Sequence, residues 1–171
     1  MVKGRDVENQ TKKKVLHLLT HYDELPVWAE NLKSDIDMLR EELQEEPAPK
    51  TTQWRESPGG GGGFEKPSPE EAALERKERL LQHLDRKEEK YNRLTTDMEK
   101  LDRSLKGLWE SERYVVELCT IRRRGMTWQQ VAVKLGYSPD AESACRRRFW
   151  RAIDHLVLMF EGGDVQRSLF L

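Results

Sequence analysis

Four arginines, Arg146, Arg147, Arg148 and Arg151, crowd into six consecutive positions of the chain. A guanidinium offers five N–H donors in a planar fork, stays charged at every physiological pH and matches both a phosphate and the O6/N7 edge of guanine. That is the chemistry of recognition rather than of bond-making. The surrounding segment, MTWQQVAVKLGYSPDAESACRRRFWRA from Met126 to Ala152, gives it direction. Two amphipathic stretches flank a Gly-Tyr-Ser-Pro turn, the outline of a helix-turn-helix whose second helix enters the major groove of double-stranded DNA.

The first stretch is expected to be a helix capped by Thr127. Trp128, Val131, Ala132 and Leu135 would form its buried stripe, and Gln129, Gln130 and Lys134 would face out. Gly136 supplies a left-handed turn. In the second helix Cys145, Phe149, Ala152, Ile153 and Leu156 repeat at core spacing. Ser143, Arg146, Arg147 and Trp150 fall opposite, and Arg148 and Arg151 flank the stripe. The small residues Ala141, Ser143 and Ala144 allow close approach to a groove. The DNA-contacting set read from this pattern is Thr127, Gln129, Gln130, Ser143, Ala144, Arg146, Arg147, Arg148, Trp150 and Arg151. Spacing does not assign which arginine meets a base and which a phosphate. The bland alternative for the same residues is a helical bundle with one solvated basic face.

The charge distribution agrees with the position of this face. The chain of 171 residues has a net charge of −1, with 36% charged and 8% aromatic residues. Residues 103–154 hold eleven Lys/Arg against six Asp/Glu, whereas residues 23–46 hold nine Asp/Glu against two Lys/Arg. The local excess near the arginines is what phosphate attraction requires. Such a composition suits solvent-rich helices rather than a single large core.

The remaining elements must carry this unit, and the chain reads as all-α. Residues 1–46 form an N-terminal helical segment. One helix runs over 11–22, with Val15, Leu18, Leu19 and Tyr22 in a stripe, and a break lies near Pro26. A second helix from Trp28 has Leu32, Ile36, Leu39 and Leu43 on one face and acids, including Glu30, Asp35, Asp37, Glu41 and Glu42, on the other. Residues 47–69 are a flexible linker, with five consecutive glycines (59–63) among prolines. Ser68-Pro69-Glu70-Glu71 starts a long helix over 70–106. Leu80, Leu84, Tyr91, Leu94, Met98, Leu101 and Leu105 repeat at heptad spacing along it, broken only by Lys87. That seam is assigned to pairing in a homodimer, with packing on the chain's own N-terminal helices as the alternative. A helix-turn-helix domain over 107–160 follows, its first helix expected from a Ser111 cap to the arginines at 122–124, and residues 161–171 are a tail.

Several functions find no support in the residues. The histidines His17, His21, His83 and His155 are scattered, the glycine run lacks the lysine-hydroxyl ending of a phosphate loop, and no nucleophile stands at a fixed spacing from a base. The chain is therefore read as no enzyme, with no cofactor and no metal. His17 and His21 lie one helical turn apart without a third ligand, and Cys119 and Cys145 are expected as core thiols. No apolar run reaches membrane-spanning length and no signal-like segment opens the chain, so the expected place is the cytoplasm, without a membrane partner.

The stretch LWESERYVVELCTIRRRGMTWQQVAVKLGYS resembles the start of sigma factor region four. The order of parts is similar to that of the RinA/ArpU family of phage late transcriptional regulators: acidic N-terminal helices (YDELPVWAENLKSDIDMLREEL), a loose middle, a long helix and a sigma-like helix-turn-helix. The resemblance implies activation of late phage operons for packaging, morphogenesis or lysis, in the host cytoplasm, with RNA polymerase as a further partner. It puts Thr127, Gln129 and Gln130 on the positioning helix, and Ser143, Ala144, Arg146, Arg147 and Arg148 on the reading helix. Arg151-Ala152 stands for the closing arginine-alanine pair. One departure is visible: Ser138-Pro139-Asp140-Ala141-Glu142 makes the link to that pair longer than usual, by a longer turn or an added turn of helix. The competing readings are a small terminase-type packaging-initiation protein, which usually carries its DNA-binding unit first, and a sigma-like polymerase-associated factor.

Overall fold

A computed structural model describes residues 3–45, 68–121 and 126–162. Among these residues the structure is helical without strands: α1 (Lys3–Thr20), α2 (Leu25–Glu45), α3 (Pro69–Gly107), α4 (Glu110–Cys119), α5 (Trp128–Lys134) and α6 (Glu142–Phe160), with a 3₁₀ turn over Pro139–Ala141. Residues 46–67, which hold all but the last two positions of the linker expected over 47–69, lie outside the described residues, as do the arginines at 122–124 with the expected stop at 125 and the tail beyond 162.

The helices begin and end where local chemistry demands it. Ser68 caps α3 reciprocally: its Oγ accepts the Glu71 N–H at 3.1 Å, and its own N–H donates to Glu71 Oε2 at 2.8 Å. Pro26 falls in the first turn of α2, where a missing N–H costs nothing. Among the boundaries that differ from the sequence reading are two helix starts. Helix α1 starts eight residues early, at Lys3 rather than residue 11, because Lys3–Gln10 is polar and carries no apolar stripe by which periodicity would register it. Helix α4 starts at Glu110, one residue before the expected cap Ser111. Its N-cap is Trp109, with extended backbone and no side-chain cap, so the chain bend after Gly107 sets this start.

The described residues fall into two compact units, Met1–Val27 with Leu94–Leu171, and Trp28–Arg93. This differs from the boundaries drawn from the sequence. Helix α1 packs with the C-terminal helices, since Val15, Leu18 and Leu19 are buried there along with Leu101, Leu105, Val115, Val116, Ile153 and Leu156. Burying such side chains is the main stabilising term, on the order of 2 kcal/mol for each large aliphatic group. Polar contacts tie the same unit: Lys14 Nζ donates to Asp97 Oδ1 at 2.7 Å, and the Tyr22 hydroxyl to Asp102 Oδ1 at 2.7 Å. Gly107 ends α3 against α6, where an added Cβ would stand 2.8 Å from Met159 Sδ.

In the second unit Ile36 is buried, and Lys87, the interruption in the apolar seam, donates to Asp35 Oδ2 at 2.6 Å. Arg40 donates to Glu88 Oε1 at 2.7 Å. The seam assigned to a homodimer is therefore met by the chain's own groups at several points. Leu101 and Leu105 are core residues of the first unit, whereas Leu80, Leu84, Tyr91, Leu94 and Met98 are half-buried. No helix among the described residues is long and apolar enough to cross a membrane.

Candidate nucleic-acid interface

Helix α5 is held at its start by a capping box. Thr127 Oγ1 accepts the Gln130 N–H at 3.3 Å, and the Thr127 N–H donates to Gln130 Oε1 at 2.9 Å. Thr127 and Gln129 are exposed. Gln130, placed in the DNA-contacting set by its outward position, has its carbonyl oxygen committed to the cap, so its first role is to set where α5 begins. Val131 and Ala132 are fully buried, while Trp128 and Leu135 are half-buried. The expectation that Trp128 is core needs correcting. Its ring leans on Phe149, with centroids 5.7 Å apart, and its outer face carries the Arg146 guanidinium at 5.5 Å.

Gly136 ends α5 at φ +77°, a conformation that costs other L-residues on the order of 1 kcal/mol. The Tyr137 N–H then donates to Ala132 O at 2.9 Å and the Gly136 N–H to Val133 O at 3.0 Å, satisfying carbonyls that the helix leaves open. The long link to α6 is a single 3₁₀ turn. Ser138 caps it weakly, its Oγ accepting the Asp140 N–H at 3.4 Å, and Pro139 opens it. The extra residues therefore form a tight turn of their own, and α6 starts at Glu142.

Along α6 the faces separate as spacing requires. Cys145, Phe149, Ala152, Ile153 and Leu156 are buried, joined by Val157 and Phe160. Ser143, Ala144, Arg146, Arg147, Trp150 and Arg151 are exposed and Arg148 is half-buried. Cys119 and Cys145 are buried free thiols. Trp150 lies edge-on to Phe149, at 5.1 Å between centroids, and Lys12 Nζ of α1 stands 5.0 Å above its ring while also ion-pairing with Asp154.

The four arginines are not equivalent. Arg146 ion-pairs with Glu142, one turn earlier, and lies over Trp128. Arg148 Nη1 donates to the Tyr137 hydroxyl. Arg147 and Arg151 have no hydrogen bond or ion pair to any described residue. On the α4 side of α6 lies an open cleft of about 580 Å³, walled by Trp109, Ala144, Arg147, Arg148 and Arg151. Trp109 is 66% exposed. The acid on the cleft wall, Glu112, is engaged by His155 Nδ1 at 2.8 Å.

Sequence reasoning missed Trp109, Tyr137 and Lys12. Trp109 carried a usable signal, an indole just outside a helix start. The other two act through contacts of eleven and 142 positions in sequence separation. Among the described residues no three His, Cys, Asp or Glu side chains gather as a metal site needs. His17 and His21 stack edge to face at 4.7 Å, and His21 Nδ1 lies 3.0 Å from Glu24 Oε2. No family model, curated protein or solved structure matches this chain.

Proposed function

We propose that the chain is a sequence-specific DNA-binding regulator of transcription, with α6 as its reading helix, and that it acts as an activator of late phage genes. One observation carries the DNA-binding part: α6 buries a complete apolar face and, on its other side, exposes Ser143, Ala144, Arg146, Arg147, Trp150 and Arg151, behind a capped α5 and a glycine turn. A helix so held presents donors to base edges and phosphates at once. The activator part rests on the resemblance of the sequence to phage late regulators, and RNA polymerase is the further partner that reading carries.

Fluorescence anisotropy of a labelled duplex against the full chain tests the first part. Affinity falls steeply as salt rises, because bound phosphates release counterions. Arg146→Ala combined with Arg147→Ala abolishes binding while helical circular dichroism stays unchanged. Salt-independent binding sinks the arginine face, and lost helicity in the double variant makes those residues structural instead. Mapping of bound sites on the genome that encodes the chain, followed by transcription assays, tests the activator part, which fails if occupied sites leave transcription unaltered.

A further inference from the structure

The cleft between the start of α4 and α6 has a different character from the outer ridge of α6. Core residues Cys145, Phe149, Ala152 and Ile153 fix which way that helix faces, and Ser143 and Arg147 lie opposite them, within its first two turns. In a helix laid into a major groove, those early outward positions meet base edges, and the flanks meet the two backbones. Arg148 and Arg151 sit nearer the buried face than Arg147 does and later along the helix, and all three wall the cleft of about 580 Å³.

We propose that this cleft seats one strand of the DNA backbone, with Arg148 and Arg151 as phosphate ligands and Trp109 packed on the adjoining sugar. The inference rests on the DNA-binding reading above and assigns roles within it. Three observations support it. Arg151 is exposed and has no hydrogen bond or ion pair to any described residue, so its donors are available. Arg148 is tethered through Nη1 by the Tyr137 hydroxyl, which leaves its other donors presented in a set direction. The cleft's acid, Glu112, is already engaged by His155, and the Trp109 indole opposite is 66% exposed, an apolar plate with an N–H at its edge. Ala144 lines the cleft with only a methyl group, which leaves room there for a chain to enter.

The test uses the full chain and two fluorescein-labelled duplexes of about 30 base pairs, one A/T-rich and one G/C-rich, titrated from about 50 to 200 mM salt. Arg148→Gln and Arg151→Gln should each weaken binding by the same factor on both duplexes and lower the slope of log K against log salt by about one. Trp109→Ala should weaken both duplexes several-fold and leave the slope alone, since it removes no charge. Arg79→Gln, an exposed arginine on α3, should change neither quantity. Unaltered slopes for the two α6 variants, or a loss confined to one duplex, overturn the cleft while leaving the DNA-binding reading in place. Wild-type chain that binds neither duplex at the lowest salt overturns both. Circular dichroism of each variant guards against misfolding, and Arg151→Lys, which keeps the charge, should restore the slope.

Discussion

Single side chains show how neighbours decide what a residue type can do. In the sequence Tyr22 reads as the last residue of an apolar stripe and Arg148 as a cation beside one. Tyr22 donates to Asp102, and that hydrogen bond, together with burial and the nearby charges of Asp102, Glu117 and Asp23, pushes its phenol from 10 up to about 12. A raised folded-state value stabilises the neutral phenol. Its contribution is fully present below pH 10 and is lost as pH rises from 10 through about 12. Tyr22→Phe should therefore flatten the alkaline fall in stability over that window, and should cost about 1 kcal/mol near neutral pH in urea unfolding, given partial exposure. An alkaline limb identical in wild type and variant would show that the pair does not couple to folding. Arg148 was legible as a cation on the flank of its helix. Its tether to Tyr137 was not, because that bond depends on where the turn after Gly136 returns the chain.

Secondary elements were the most legible level, and the reasons are local. The Thr127–Gln130 box, the Ser68–Glu71 box and the Gly136 turn all depend on residues within a few positions of each other. Thr127→Ala should cost about 1 kcal/mol and fray α5, seen as faster amide exchange at its first turn. Gly136→Ala should cost about 1 kcal/mol through its positive φ alone, since no atom lies within 4 Å of the added methyl. Retained wild-type stability in that variant would mean the turn adopts another conformation in solution. The start of α1 escaped the sequence because polar residues extend a helix without marking it. Trp109 was passed over as an N-cap because it lacks an oxygen to cap with.

At the scale of the molecule, packing redistributes residues that the sequence grouped otherwise. Helix α1 belongs with α6, so Leu19→Ala, in a residue with no exposure, should cost about 2–5 kcal/mol and lower the melting of the unit that holds α6. Unfolding of α6 signals at an unchanged midpoint would argue that α1 is dispensable. The same packing changes how pairing between copies must be tested. Leu101 is fully buried within its own chain, so Leu101→Glu should unfold the first unit rather than separate two copies. Leu80→Glu with Leu84→Glu, at half-buried positions, is the appropriate variant. Pairing through that part of α3 predicts a halved mass in light scattering with helicity retained, and an unchanged mass sinks it.

The sequence by itself determined the all-α class, the succession of a short helix, a glycine turn and a second helix, and which side of α6 is buried. Each of these follows from periodicity and capping, and both are properties of neighbouring residues. Only the tertiary structure decided that α1 joins the C-terminal helices, that Lys87 pairs with Asp35, and that Glu142, Tyr137 and the cleft beside Trp109 divide the four arginines into different settings. Those outcomes depend on contacts between residues far apart in the chain. Helical spacing gives the direction in which a side chain leaves its helix, and packing alone supplies the group that waits there.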